Sequence, residues 1–514
     1  MGNCISNVSR KDEEFEAEYA HPVLPTVKIQ QETQIESKPL DHQENHDNHE
    51  KPNNIENRQL FIDSEFPPDD SSYQKDGESG VQWLRASEIA ELQGKSPVFI
   101  DGDRPSRFDV NQGNLGDCWF LAALSDLPTN LKLFNIVVPY GQSFENANGK
   151  FHFRFWNYGA WEDIEIDDYL PVNAYGNLKF ASSKNTCEFW PALVEKAYAK
   201  FYGNYGRALK GGFAQEALED LTGGISEELK NLHDWNLDEL FKTLLQAYEN
   251  NCLLSASIDR TNKRYKKRLG LACGHAYSLN KVVQIETIDG EIVKLLRIRN
   301  PWGNCKEWNG DWSDNCPNWN RVSFEIREQI DFHKKSDGEF YISIADFVEI
   351  FHNLNICHLS IESLDNQAKN FKLVEQSGFW PQSLYEGLLQ NDHQFLIDLK
   401  DTDDNGFCCI LISVMQKGAR RRKGQGRDHT NATIGFDIYQ LENQNEELPL
   451  NSDFLFYNQP CESERKHGRR SATKRFHLKP GSYVIMPKKE SSLDSKEYLI
   501  RVLYEGDGKF SKLK

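Results

Sequence analysis

Four residues carry side chains that together could perform nucleophilic chemistry on a carbonyl group. Cys118 supplies a thiol in the first turn of a predicted helix, where unpaired N–H groups and the helix dipole stabilise a thiolate. His275 supplies an imidazole that could hold the thiolate as an ion pair and later protonate a leaving amine. Asn300 offers a side-chain carbonyl to orient that imidazole. The Gln112 amide could join the Cys118 backbone N–H in donating to a developing oxyanion.

Each of these residues also has an ordinary structural explanation when it is taken alone. Free cysteines are among the most buried residue types, so Cys118 could be a small core residue. His275 could be a hydrogen-bonded histidine at a strand end, and Asn300 could be a turn residue before a proline. Gln112 could be a surface amide. The functional interpretation therefore depends on the four residues acting as a set.

Two helices are predicted near the thiol. The segment NLGDCWFLAALSDLP favours a helix with Asp117 as its N-cap, and Pro128 ends it. The segment FWPALVEKAYAKFYG favours a second helix, with Pro191 in its first turn and Gly203 after its end. Short strands are interspersed with these helices between about residue 60 and residue 222.

A β-hairpin should carry the imidazole and the amide. The β-branched runs HAYSLNKVVQI and EIVKLLRIR flank the turn Ile288-Asp289-Gly290, so His275 opens one strand and Asn300 follows the other. Perfect pairing about the Asp-Gly turn would leave these two residues offset by about four residues, or ~13 Å along the strands. A wider loop, a bulge or curl of the sheet must remove that offset.

The remaining pattern predicts two further groups of strands. RVSFEI and GEFYISI are strand-like and should join the hairpin in an antiparallel sheet that forms a second lobe. The last 150 residues contain evenly spaced strand candidates separated by turns, which is typical of a β-sandwich. These candidates are HQFLIDLK, CCILISVMQ, TIGFDIYQL, KRFHLKPGSYVIMP and EYLIRVLYE.

Composition limits the classes of protein that this chain can belong to. At 514 residues it is too long for a single core. A net charge of −18 argues against a nucleic-acid binder, which needs clustered positive charge. The 11 cysteines show no regular framework, and no signal peptide or run of about 18 apolar residues appears, so we expect reduced thiols in a cytoplasmic protein.

The N-terminus carries a lipidation pattern. In MGNCISNVSR, Gly2 becomes terminal after removal of Met1, and Ser6 stands where the myristoylation motif requires a hydroxyl. Cys4 could accept a palmitoyl chain, and two acyl chains would give stable membrane association. The alternative is an unmodified terminus. Residues 1–58 are polar and poor in aromatics, which predicts a disordered tether.

Three sequence blocks resemble the signature motifs of the calpain family, which is papain-like in its chemistry. They are QGNLGDCWFLAAL, GHAYSL and RNPWG, and the resemblance extends over about residues 60–510. It implies an α+β fold with a two-lobed, papain-like protease core followed by an all-β sandwich. We expect the first lobe at 59–222, the second at 223–361 and the sandwich at 362–514. The resemblance assigns Cys118 as nucleophile, His275 as acid–base, Asn300 as orienting residue and Gln112 as oxyanion donor.

The resemblance also implies calcium sites within the two protease lobes. Calcium takes six to eight oxygens from carboxylates and carbonyls. One site would use Asp109 and Glu188, with the backbone of Arg104 standing where calpains often have a glycine carbonyl. The residues that match the other site are Glu307, Asp314, the carbonyl of Lys335, Asp337 and Glu339. One residue is inserted between Asn300 and Glu307 relative to the usual spacing. Taken singly, each acid could be a solvated surface charge.

The expected function is calcium-dependent limited proteolysis of protein substrates by an intracellular cysteine endopeptidase, near a membrane surface. The sequence has no EF-hand loop motif and ends at Lys514 after the sandwich, so no conventional calpain small subunit is expected as partner. The basic run 417–427 could bind anionic lipid or form a solvated loop. The main alternative function is a catalytically silent, lipid-anchored scaffold that binds calcium and membranes with a calpain fold. A cysteine transglutaminase would share the Cys–His chemistry but would not explain the blocks around it.

Overall fold

The protein was analysed as a computed structural model that describes most of the chain from residue 60 onward. The described ranges are 60–74, 80–260, 269–304, 307–359, 371–380, 393–400, 406–418, 420–421, 431–442, 446–490, 497–506 and 508–513. The predicted tether, with Gly2 and Cys4, lies outside these ranges. The described chain contains both helices and antiparallel sheets, in agreement with the predicted α+β class.

Residues 60–222 form a region that we call the helical lobe. Its buried core is rich in aromatic side chains, among them Phe120 and Tyr198, whose rings stack with centroids 3.9 Å apart. Its helices are α1 Asp70–Tyr73, α2 Ala86–Glu91, α3 Cys118–Asp126, α4 Leu131–Val137, α5 Trp190–Tyr202, α6 Tyr205–Leu209 and α7 Ala214–Thr222. Its strands are β1 Gln82–Arg85, β2 Lys150–Asn157, β3 Ala160–Asp167 and β4 Tyr169–Val172.

Both helices predicted in this lobe are present. α3 begins at the predicted thiol and passes into a 3₁₀ turn that contains Pro128. α5 has Pro191 in its first turn and ends at Gly203, which adopts φ 111°, a left-handed value that favours glycine. Asp117 is the N-cap residue of α3, as predicted, although its side chain makes no capping hydrogen bond. Its carboxyl is instead fully buried beside Glu195.

Residues 225–358 form the sheet lobe. Six antiparallel strands follow the spatial order β5-β10-β6-β7-β8-β9 around an aliphatic core, in agreement with the predicted antiparallel sheet. The strands are β5 Ile225–Lys230, β6 Leu253–Ile258, β7 His275–Glu286, β8 Ile292–Arg299, β9 Glu339–Ser343 and β10 Asn353–His358. The helices are α8 Leu237–Glu249, α9 Phe324–Gln329 and α10 Ile344–Ile350.

One predicted strand of this lobe is wrong. The segment RVSFEI leads into α9, because Ser323 caps that helix by accepting a hydrogen bond from the Ile326 N–H. The alternation of apolar residues that suggested a strand does not reflect burial, since the Phe324 side chain is 63% exposed. The strand predicted in GEFYISI is confirmed as β9.

The last part of the described chain is the predicted β-sandwich. A four-stranded sheet in the order β11-β18-β13-β16 faces a five-stranded sheet in the order β15-β14-β17-β12-β19, and one apolar core contains residues of both. The elements are β11 Phe371–Phe379, β12 Phe395–Leu399, β13 Cys408–Gln416, β14 Ile434–Gln440, α11 Ser452–Tyr457, β15 Glu462–Lys466, β16 Ser471–Leu478, β17 Gly481–Lys489, β18 Glu497–Glu505 and β19 Lys509–Lys512.

Arginines of the sandwich hold it against the helical lobe and the glycine turn that follows α7. Arg470 donates to Asp220 (2.6 Å) and to Glu219 (2.7 Å), two carboxylates that are completely buried at the end of α7. Arg501 donates to the backbone carbonyl of Gly224 (2.7 Å) and stacks on Trp156. Because α7 packs directly on α3, these ion pairs tie the sandwich to the helix that starts at the thiol.

Candidate active site

The His275 imidazole and the Asn300 amide are hydrogen-bonded at one end of the β7–β8 hairpin. The Nε2 atom of His275 lies 2.8 Å from Oδ1 of Asn300, and both side chains are buried. The same Oδ1 accepts the backbone N–H of Trp302 at 3.0 Å, which identifies it as the carbonyl oxygen of the amide. Nε2 must therefore carry the proton, and Nδ1 is left as the basic nitrogen.

The hairpin resolves the predicted offset in two places. Near the turn, Glu286 pairs with Ile292, which makes the loop one residue wider than a turn centred on Asp-Gly would be. The register then shifts between Leu279 and Lys281, so that Ser278 pairs with Arg299. Both irregularities move the partner strand in the same direction, and the expected offset of four residues falls to two. The side chains of His275 and Asn300 span the remaining offset of two residues, since their polar atoms meet at 2.8 Å.

Aromatic rings enclose this pair. Trp302 lies with its ring centroid 4.5 Å from that of His275, and Tyr277 contacts the imidazole edge-on at 4.9 Å. The tight turn that positions Trp302 depends on Gly303, which has φ 59°. A Cβ at Gly303 would come within 1.6 Å of the Asn111 side-chain oxygen, so only glycine fits there. The Trp302 ring therefore covers the imidazole.

The Cys118 thiol lies where α3 packs against the start of β7. Its sulfur is within hydrogen-bonding range of the backbone N–H of Ala276, the residue after His275. Burial raises the pKa of this thiol, and Asp117 adds to the effect, although N–H groups of Ala276 and Trp119 oppose it. The sequence argument for a stabilised thiolate is therefore wrong for this state, because desolvation outweighs the helix terminus.

The thiol and the imidazole have not formed an ion pair. Burial lowers the pKa of His275 to about 4, against the favourable bond from Asn300, so the ring is neutral near pH 7. Among the hydrogen bonds of the described residues, none joins Cys118 to His275. The structure thus places the Cys118 sulfur at the residue that follows His275, with the thiol and the imidazole both uncharged near pH 7.

The Gln112 amide points into its own loop. Its Nε2 donates to the carbonyl of Leu115 at 2.7 Å and to Asp117 at 3.3 Å, which engages both amide hydrogens. Its backbone N–H donates to the carbonyl of Pro301 at 2.8 Å and so links the two lobes beside the hairpin. Of the four predicted residues, Gln112 is the one whose functional group is directed elsewhere.

A second link between the lobes was missed by the sequence reasoning. Arg107, in the 3₁₀ turn Arg107–Asp109, forms an ion pair with Glu339 at the start of β9. Arg299 adds a bond from its Nη2 to the carbonyl of Val110 at 2.8 Å. The only sequence signal for Arg107 was its position two residues before Asp109, a predicted calcium ligand.

The predicted acids of the helical lobe lie close together. Glu188 is buried and accepts bonds from the Asp101 N–H (2.8 Å) and from the Ser183 hydroxyl. Asp109 accepts from the Ser106 N–H at 2.7 Å. Burial raises the pKa of Glu188 to about 7, and the charges of Asp109 and Asp101 contribute. The Arg104 side chain is exposed beside this group.

The predicted acids of the sheet lobe form a second group. Glu307 accepts from the Gly338 N–H at 2.8 Å, and Asp314 accepts from the Lys335 N–H at 3.0 Å. Burial raises the pKa of Asp314 to about 7, and the neighbouring charges of Glu307, Asp337 and Glu339 raise it further. Four carboxylates thus share one region, although Glu339 is already paired with Arg107.

The chemistry of both groups fits calcium, whereas their present arrangement is not a formed metal site. Carboxylate and backbone oxygens are the ligands that calcium prefers, and mutual repulsion among these acids favours a bound cation. Within the described ranges, however, no cluster of three or more His, Cys, Asp or Glu side chains is close enough to hold a metal ion. Backbone N–H groups and Arg107 satisfy these carboxylates instead.

The basic run 417–427 is only partly described. Arg420 lies 4.2 Å from the ring centroid of Trp119, the residue after the thiol, and donates to Glu216 at 2.7 Å. Arg421 donates to Glu162 at 2.7 Å and to the carbonyl of Phe201 at 3.1 Å. These two arginines bind the helical lobe, so a solvated loop does not describe them. No described helix is both long enough and apolar enough to cross a membrane.

Comparison with known proteins identifies the family. Residues 61–358 match the calpain family cysteine protease domain, and residues 382–503 match domain III of the calpain large subunit. Calpain-A of Drosophila melanogaster is 39% identical over 474 residues, which is 87% of this chain and 56% of that protein. Calpain clp-1 of Caenorhabditis elegans is 36% identical, covering 88% of this chain and 59% of that protein. The calpain-2 catalytic subunit of Bos taurus is 37% identical, covering 87% of this chain and 66% of that protein.

The chain spans 56% to 66% of the length of these curated relatives. The matched domains follow the same order as the helical lobe, the sheet lobe and the sandwich, and the first of them contains the thiol, the imidazole and the amide described above. This chain belongs to the calpain family of cysteine proteases.

Proposed function

We propose that this chain is a calcium-activated cysteine endopeptidase that performs limited cleavage of protein substrates. The observation that carries the proposal is the hydrogen bond from His275 to Asn300, which leaves Nδ1 as the basic nitrogen beside the helix that starts at Cys118. An imidazole with this tautomer fixed can take a thiol proton through Nδ1 while Asn300 keeps the ring in place.

The chemistry follows from these groups. Transfer of the Cys118 proton to Nδ1 of His275 produces a thiolate and an imidazolium. The sulfur then attacks the carbonyl carbon of a peptide bond, and the imidazolium returns the proton to the leaving amine. The backbone N–H of Cys118 can donate to the oxyanion. The Gln112 amide can join it by releasing its longer bond to Asp117, which measures 3.3 Å.

Removing the acceptor of the imidazole should slow this reaction. In Asn300→Ala the Nε2–H of His275 loses its partner, so the ring is free to rotate and to change tautomer. We expect kcat for peptide cleavage to fall roughly 10- to 100-fold, a smaller loss than removal of a general base itself causes. Asn300→Asp keeps an acceptor oxygen at this position and should retain more activity than Asn300→Ala. Equal kcat values for wild type and Asn300→Ala would contradict an orienting role.

Calcium dependence is the second part of the proposal. The residues that would hold the ion are Asp109 and Glu188, with the Arg104 carbonyl, in the helical lobe. In the sheet lobe they are Glu307, Asp314, Asp337 and Glu339, with the Lys335 carbonyl. A bound calcium ion would supply the positive charge that these grouped carboxylates lack. Arg107 lies in the turn that contains Asp109 and forms an ion pair with Glu339. Calcium bound at either group of acids would therefore affect the contact between the two lobes, which carry the proposed catalytic residues.

A calcium titration of peptide cleavage by the full chain tests this dependence. We expect no cleavage in chelator and a saturable rise with calcium. Asp314→Asn removes one of the carboxylate ligands proposed for the sheet-lobe site. We expect the calcium midpoint to rise about tenfold or more, which corresponds to a loss of about 1.4 kcal/mol of binding free energy. Glu91→Gln, at an exposed position on α2, removes one acidic charge without touching either group and should leave the midpoint unchanged. Equal rates in chelator and in calcium would refute the dependence.

A membrane location extends the proposal. Gly2 and Cys4 provide acylation sites, and stable attachment through them requires both chains. When the protein is expressed in eukaryotic cells, mass spectrometry of its N-terminal peptide should show the added mass of one myristoyl and one palmitoyl group. An unmodified peptide would refute the proposed acylation. Protein substrates and anionic lipid are the partners that we propose. No nucleic acid partner is proposed for a chain of this charge.

A further inference from the structure

A second thiol–imidazole pair lies outside the active site. Cys252 directly precedes β6, and His358 ends β10. Because Leu253 pairs with Cys357 in the antiparallel register, Cys252 and His358 lie side by side on one face of the sheet. The sulfur of Cys252 is 3.4 Å from Nδ1 of His358.

A buried carboxylate holds the other side of the imidazole. Nε2 of His358 is 2.8 Å from Oε1 of Glu227 on β5. His358 pairs with Ile225 in the β10–β5 register, so Glu227, two residues along, projects from the same face. A carboxylate oxygen can only accept, hence Nε2 donates to it and Nδ1 is the nitrogen that meets the thiol. The order of groups is thiol, imidazole and carboxylate.

The sandwich supplies a second cation to this cluster. Arg475 on β16 donates from Nε to Oε2 of Glu227 at 3.2 Å and from Nη2 to Oε1. Its Nη2 also lies 2.8 Å from Nε2 of His358, so the guanidinium and the imidazole sit next to each other on one carboxylate. On the other side of this guanidinium, the sulfur of Cys409 lies 3.8 Å from Nη1 of Arg475.

The groups beside the Cys252 sulfur carry a net positive charge. Burial lowers the pKa of His358, but Cys252 and Glu227 together raise it to about 9, so the imidazole is charged near pH 7. Burial raises the pKa of Glu227, yet Arg475 and His358 bring it down to about 2. The guanidinium and the imidazolium therefore give this cluster one more positive charge than the carboxylate offsets.

We propose that Cys252 is a second reactive thiolate of this chain, paired with His358, and that it is a site of oxidation by hydroperoxides at the joint between the sheet lobe and the sandwich. Cys252 is only partly buried, which gives a small oxidant access. The adjacent Cys357 shows the opposite environment: it is completely buried, and burial raises its pKa to about 12.

The proposed reaction needs only a hydroperoxide. The thiolate sulfur attacks the terminal oxygen of the hydroperoxide, so an S–O bond forms while the O–O bond breaks. The sulfur loses two electrons and becomes a sulfenic acid, and the oxidant is reduced to an alkoxide, or to hydroxide from hydrogen peroxide. The His358 imidazolium gives its proton to that leaving group. The cluster then contains one carboxylate and one guanidinium and remains neutral.

The pH dependence of alkylation tests the thiolate directly. In full-length Cys118→Ser, the rate of iodoacetamide labelling at Cys252 is measured by peptide mass spectrometry between pH 5.5 and 9. Free glutathione, labelled in the same reaction, is the reference. We expect the Cys252 midpoint to lie at least about one pH unit lower. His358→Asn should slow Cys252 labelling at pH 7 by about tenfold, the change expected for one pKa unit. His152→Asn, at an exposed site in the helical lobe, is the matched control and should have no effect.

The peroxide arm uses hydrogen peroxide with a dimedone-type trap for sulfenic acid. Trapping should occur at Cys252 in Cys118→Ser and should be reduced in His358→Asn. Cys357 must stay unlabelled in every variant, because its labelling would report unfolding. If His358→Asn unfolds, the labelling midpoint of Cys252 in Cys118→Ser relative to that of glutathione decides the question alone. Equal midpoints, or no reaction at Cys252, would overturn the proposal.

Discussion

Cys118→Ser is expected to lower kcat/KM for peptide cleavage by at least about 10³-fold. A serine hydroxyl is a much weaker acid than a thiol, so the same imidazole deprotonates it far less readily. The measurement is the cleavage rate of a fluorogenic peptide at saturating calcium. Folding is checked by comparing the denaturation midpoint of the variant with that of the wild type.

Cys461→Ser is the matched control, since it makes the same chemical change at an exposed thiol of the sandwich. It should cleave at the wild-type rate. Activity that survives in Cys118→Ser would exclude Cys118 as the nucleophile. A thiol-directed epoxide adds a second criterion: it should label Cys118 of the wild type in calcium. A fully folded chain that shows neither labelling nor cleavage would support the catalytically silent scaffold instead.

Arg470→Met is expected to cost about 3–5 kcal/mol of stability, the usual result of removing one partner from a buried ion pair. Arg470 is the cation that neutralises Glu219 and Asp220, neither of which has any exposure to solvent. Urea denaturation of the full chain measures the loss. Lys474→Met, on strand β16 directly after Arg470, removes a partly exposed cation and should cost less than about 1 kcal/mol.

The pH dependence of this loss has a definite sign. Burial raises the pKa of Glu219 and of Asp220 even with Arg470 present, so the folded state binds protons at these groups more readily than the unfolded state. Stability from such groups is lost as pH rises through the raised pKa. The Arg470→Met defect should therefore be smaller at pH 5 than at pH 8. Adding Glu219→Gln and Asp220→Asn should recover most of the stability, and a defect insensitive to both changes would show that lost packing is responsible.

Much of the architecture could be predicted from local sequence patterns. The helix at Cys118, the hairpin that carries His275 and the strands of the sandwich all have apolar periodicity and turn residues that match the structure. RVSFEI failed because its alternation coincides with a capped helix, in which Ser323 outweighs the pattern. A one-residue shift at the bulge near Leu279 is likewise invisible in the pattern, because neither strand loses its apolar character there.

The electrostatics of the site could not be predicted in this way. The sequence placed Cys118 at a helix terminus, which alone would favour a thiolate, but the depth of burial depends on how α3 packs against β7. Arg420 and Arg470 could not be matched to their partners, since more than 200 residues separate Arg420 from Glu216. The Cys252–His358 pair depends on strand register in the same way. Long-range contacts of this kind determine whether a charged group has a counter-ion.

The ion pairs between Arg470 and the end of α7 also bear on the order in which a newly made chain can fold. Asp220 and Arg470 are 250 residues apart. At a synthesis rate of about 5–20 residues per second, the helix emerges from the ribosome roughly 12–50 s before its arginine exists. During that interval α7 carries two carboxylates that have no counter-ion to be buried with. We therefore expect the nascent helical lobe to remain incompletely packed, and its nucleophile helix unsupported, until the sandwich has been synthesised.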